Sequence, residues 1–218
     1  MLFRSTLSAL DAQGIGRVSF NTTMAACSAG LTALFYAYGR TSKWDLGLTT
    51  NGFLAGLVAI TCPCYWVSPT GAFIIGIVSG FAVIWATDAL EYLRIDDPIG
   101  AVPVHMVCGI WGTLSLGLFA TGAYGLPTPT GADTSTVVKG LFYGGGTTQL
   151  VAQAIGSGAT TLATLVVAFV LMYAVKTTGT LRVSREGELE GLDIHEHGMF
   201  AYPEFATHPS ETLHGSGR

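Results

Sequence analysis

His105 stands near the middle of the apolar run Val104-His105-Met106-Val107-Cys108-Gly109. A charged imidazole at that depth in a bilayer costs roughly 2–3 kcal/mol or more, so it should be neutral and face a cavity or a polar partner. Two readings fit. His105 is either a pore or proton-relay residue, or a satisfied histidine that joins two helices. Cys108 follows one helical turn later, but one His and one Cys make an incomplete metal site. His195 and His197 form a His-x-His pair in the charged stretch from Gly191 to Gly198, where solvation is the simpler reading. Cys62 and Cys64 flank Pro63 at a spacing that structural zinc knuckles do not use. Cys27 and Cys108 lie in hydrophobic runs, and all four thiols read as small buried groups. No metal or cofactor is expected.

Asp96-Asp97-Pro98 precedes the His105 segment. Asp97 suits an N-cap with Pro98 at the first helical position, and its carboxylate complements the positive end of the helix dipole. Asp88 and Glu91 read as solvated residues at the end of the preceding helix. There is no catalytic triad, phosphate loop or dinucleotide fingerprint. No catalytic residue is therefore assigned, and the chain reads as a transporter rather than an enzyme.

The elements that carry these residues belong to a membrane. Half of the 218 residues are hydrophobic and only 11% are charged, against about 25% in soluble domains. The net charge of −4 offers no basic patch for nucleic acid. A membrane helix needs about 20 mostly apolar residues. Five segments qualify, at about 18–38, 50–67, 70–90, 99–120 and 149–175. The expected fold is therefore all-α: a polytopic helix bundle over 1–176 with a soluble tail over 177–218. The Gly-, Pro- and Thr-rich stretch from Thr121 to Thr148 reads as a loop. Gly52 and Gly56, and Gly76 and Gly80, form G-x-x-x-G pairs, which allow close helix approach in lipid.

Charge sets the orientation. Arg40, Lys43, Arg94, Lys176, Arg182, Arg185 and Arg218 fall on one side, and Arg4, Arg17 and Lys139 on the other. The first side, with the C-terminal tail, is expected to be cytoplasmic.

Four stretches resemble the ammonium transporter (Amt/Mep/Rh) family. They are Ser5-Thr6-Leu7-Ser8-Ala9 with Asn21-Thr22-Thr23; Asn51 to Val58 continuing through Ile60-Thr61 to Pro69; Asp96-Asp97-Pro98 with Gly100-Ala101, Val104-His105, Gly109 and Gly112; and Gly191-Leu192-Asp193 with Glu196-His197-Gly198 and Ala201-Tyr202-Pro203. The resemblance implies a homotrimer of subunits with eleven membrane helices each, built as two inverted halves and a long final helix, with one pore per subunit. This sequence resembles the last five helices and the tail. The resemblance makes His105 the second of two pore histidines linked to deprotonation of ammonium and passage of ammonia. It makes Asp97 a structural acidic residue with a link to recruitment, and Ser5 a serine that helps bind ammonium at the outer vestibule. It also implies that the tail docks a PII-type signalling protein. The family's Phe-Asn-x-Gly stretch is replaced here by Met1-Leu2-Phe3-Arg4. That break leaves Phe3 unassigned as a gate and is read as a truncated reading frame. The first histidine has no counterpart, so the expectation is ammonium transport as part of a longer transporter. The alternative is a non-transporting fragment or a regulatory and assembly subunit.

Overall fold

The computed structural model describes residues 11–128 and 131–202. Ser5 and the last sixteen residues lie outside them. The chain divides into two compact units, one ending at Leu162 and the other beginning at Ala163.

In the first unit, α1 (Ala12–Thr41), α2 (Leu46–Thr61) and α3 (Pro69–Tyr92) pack on one another. A π-helical turn (Val102–Val107) then leads directly into α4 (Cys108–Phe119). α3, the continuous segment Val102–Phe119 and α5 (Thr148–Thr177) are long and apolar enough to cross a membrane. α2 is apolar but has only 16 residues. The starts of α2 and α3 have a sequence cause. Asp45 accepts from the Leu48 amide at 2.8 Å, and Ser68 accepts from the Gly71 amide at 3.1 Å with Pro69 behind it. The second apolar segment was expected to run to 67, but α2 stops at Thr61. Pro63 has no amide hydrogen and its ring restrains Cys62, so the chain breaks into turns.

The core is built from small residues. Ala25, Ala29, Ala33 and Ala37 of α1 are buried between α2 and α3. A Cβ on Gly52 would stand 2.5 Å from Ala33 Cβ, and one on Gly80 would stand 2.5 Å from the Ala29 carbonyl oxygen. The G-x-x-x-G positions thus lie where two backbones meet. Buried polar groups tie the same seam. Asn21 Nδ2 donates to the carbonyls of Cys64 and Val67, both at 2.9 Å. Ser28 Oγ lies 3.1 Å from the Phe73 carbonyl oxygen.

The stretch expected to be a loop holds an antiparallel hairpin, β1 (Thr121–Thr128) and β2 (Gly131–Lys139). Thr134, Thr136, Val137 and Val138 have the β-branched side chains that strands favour. Tertiary contacts add to that preference: Tyr124, Leu126 and Val138 pack against Tyr65 and Trp66 of the α2–α3 junction. Arg17 lies over Tyr65 and Tyr124, 4.4 and 3.5 Å from the two ring centroids. Among the described residues the remaining regular elements are helical.

α5 runs across the boundary between the units, and none of its residues is buried. The second unit continues into two short helices, α6 (Arg185–Glu190) and α7 (Leu192–His197), which pack on each other. Ser184 caps α6, and Arg182 pairs with Glu188 at 2.9 Å.

Candidate functional site

The His105 segment grows out of the turn from Ile95 to Gly100. The Asp97 carboxylate accepts from the Ala101 amide at 2.9 Å and the Val102 amide at 2.8 Å. It satisfies two amides that the helix start leaves free. The Gly100 amide closes the turn onto the Asp97 carbonyl at 3.1 Å. Helical structure therefore begins at Ala101 rather than at Pro98, and Pro103 is the proline of the first π-helical positions. Pro98 belongs to the preceding turn.

Across the π-turn the residues divide by face. Pro103 and Val104 are buried, whereas His105 and Met106 are exposed. The His105 side chain makes no hydrogen bond or ion pair among the described residues, while its carbonyl accepts from the Cys108 amide. Single π-helical turns inside α-helices occur frequently at functional sites. Cys108 is fully buried, with its thiol 3.9 Å from the Ser79 carbonyl oxygen. His105 and Cys108 therefore do not share a face, although regular helical spacing put them on one. The i→i+5 bonding of the π-turn changes the angle between residues three apart. α4 itself is held to α3 by the Trp111 indole, which donates to the Ile75 carbonyl at 3.1 Å.

Below this turn lies a cleft of about 400 Å³, lined by residues that include Asp45, Asn51, Glu91, Asp96, Asp97 and Pro103. It gathers the start of α2, the end of α3 and the start of the His105 segment. Asp88 is not merely solvated, since Arg40 of α1 donates to it at 2.5 Å. The sequence reading gave no separate role to Asn51, whose Nδ2 donates to the Ile99 carbonyl at 3.1 Å. In the tail, His195 lies 3.9 Å from Glu190, and among the described residues no three metal-binding side chains converge.

Apolar helices that pack through small residues, and an imidazole on the face they leave open, define a polytopic helical membrane protein. Residues 4–202 match the profile of the Ammonium Transporter Family. The chain belongs to that family. It is 40% identical over 216 residues to the ammonium transporter Amt2 of Archaeoglobus fulgidus, covering 95% of this chain and 43% of that protein. It is 36% identical to a putative ammonium transporter 1 member 5 of Arabidopsis thaliana, covering 87% of this chain and 38% of that one. Among solved structures, a Sensor Amt Protein superposes with a TM-score of 0.70 at 34% identity, over 84% of this chain and 42% of that chain. Candida albicans Mep2 superposes with a TM-score of 0.71 at 28% identity, over 89% and 43%. The chain thus spans about two-fifths of the length of these relatives.

Proposed function

We propose that this chain forms one wall of an ammonium-conducting path through the membrane, with His105 as a pore residue. The observation that carries the reading is the π-turn. Its Pro103 and Val104 are packed away, while its imidazole faces out from an apolar helix with no partner among the described residues. A group of that polarity on a lipid-facing surface is unfavourable, so its face suits a water-poor pathway closed by further protein. A neutral imidazole donates through one nitrogen and accepts through the other, and can replace part of the hydration shell of a small nitrogenous solute. Ammonium would be captured outside with the help of Ser5, give up a proton and pass as ammonia. Hydrated potassium would be refused, because apolar walls do not replace its water.

The same reading assigns Asp97 to holding the helix start. It makes the assembly a homotrimer in the cell membrane with a cytoplasmic C-terminus, and the tail a docking surface for a PII-type signalling protein. The charge distribution and the paired helices α6 and α7 support this orientation and surface. The test is methylammonium uptake by the assembled transporter with and without His105→Ala. Uptake should fall by at least about tenfold, as expected when a positioned polar group is lost from a dry path. Equal uptake would remove His105 from the mechanism.

A further inference from the structure

We infer that Asn51 of α2 is a positioning residue for His105, acting through the Ile99 carbonyl, which precedes the helix start and has no helical donor. Helical bonding starts one residue later, where the Val104 amide donates to the Gly100 carbonyl at 3.2 Å. Pro103 lies in the first turn, whose amides have no helical acceptor in any case. The Asn51 side chain serves the Ile99 carbonyl, with Nδ2 donating to its oxygen at 3.1 Å. Gly100 fits the same contact. Its φ is +72°, and a Cβ there would stand 2.6 Å from Asn51 Nδ2. Asn51 therefore supports the turn from the α2 side while the Asp97 carboxylate holds the next two amides. Asn51 ties the last turn before the π-helix to α2, and Asp97 fixes the turn itself. The direction in which position 105 projects is set by that tie on one side and by the buried Cys108 on the other.

The functional meaning of this positioning rests on the reading of His105 as a pore residue, but its test does not. The probe is diethylpyrocarbonate, which modifies neutral imidazole. Its rate at His105 is read by peptide mass spectrometry on the chain in lipid nanodiscs, with His195 and His197 as internal references. Asn51→Leu removes the donor, and Asn51→Asp removes it at nearly unchanged shape. Either should change the His105 rate by about fivefold, the factor that follows from losing one ordinary hydrogen bond. The tail histidines should not change. Thr87→Val is the control: Thr87 lines the same cleft but its hydroxyl bonds within its own helix, to the Val83 carbonyl at 2.8 Å, so the His105 rate should stay near onefold. A His105 rate that ignores both Asn51 substitutions, or one that Thr87→Val changes by as much, overturns the inference. Should Asn51→Leu fail to fold, the isosteric Asn51→Asp decides alone. Equal methylammonium uptake in His105→Ala would sink the pore reading and leave the tie between Asn51 and position 105 standing.

Discussion

Asn21→Ala is expected to destabilise the first unit by roughly 1–4 kcal/mol, given about 1 kcal/mol per lost hydrogen bond and more for a buried carbonyl left without a donor. Asn21 is fully buried, and both of its amide hydrogens are used on the carbonyls of Cys64 and Val67. Those contacts fix the orientation of the amide, since the oxygen could not serve two carbonyls. They also join α1 to the turns that follow α2, where Pro63 has interrupted the helical ladder. Polar pairs between membrane helices average only about 0.6 kcal/mol, so the lower end of the range applies if the freed carbonyls find water at the membrane surface. The assay is reversible unfolding in mixed SDS micelles, followed by far-ultraviolet circular dichroism. Thr23→Ala serves as the control, because the Thr23 hydroxyl bonds only within its own helix, to the Ser19 carbonyl, and is exposed. A loss below about 0.5 kcal/mol for Asn21→Ala, the size expected of a neutral surface change, would refute the claim that this amide ties the junction.

Two further outcomes follow from the hairpin. Arg17→Ala removes the guanidinium that lies over Tyr65 and Tyr124 and donates to the Tyr65 carbonyl at 2.7 Å; the hairpin amides should lose protection in hydrogen exchange by about tenfold, corresponding to one or two kcal/mol of cation–π and hydrogen-bond energy. Unchanged protection would mean that the hairpin holds itself. The second concerns pH. The Asp133 carboxyl is held below the usual carboxylate range, first by the Ser135 side chain and then by the Ser135 amide, which donates at 2.9 Å. Its ionised form is favoured in the folded hairpin, so this support is present above the unfolded value of about 3.9 and fades as pH falls through the lower folded value. Exchange at the Ser135 amide, corrected for intrinsic rate, should accelerate over that acidic window in the natural chain and not in Asp133→Asn.

Much of the fold was legible because lipid is a strict solvent. A chain with so few charges cannot cover itself in water, and long apolar runs must become helices that satisfy their own backbones. The glycine pairs were legible for a related reason: without a hydrophobic drive between helices, contact relies on close approach. The hairpin was not, since its strands are stabilised by Tyr65, Trp66 and Arg17, all distant in sequence. Nor was the length of α2, because the apolar composition continues through Pro63 into residues that are buried but not helical.

The candidate site divides along the same line. Residue types alone marked His105 as an anomaly in an apolar run, marked Asp97 as a cap, and carried the resemblance to ammonium transporters. They could not say how His105 is aimed. A regular helix would place it on one face with Cys108; the π-turn buries Cys108 against Ser79 and leaves His105 outward. They could not say that Asn51 serves the Ile99 carbonyl, since the donor and acceptor lie 48 residues apart. Local chemistry decides which groups a helix start needs satisfied. Which side chain reaches them is decided only when α2, α3 and the His105 segment meet in space.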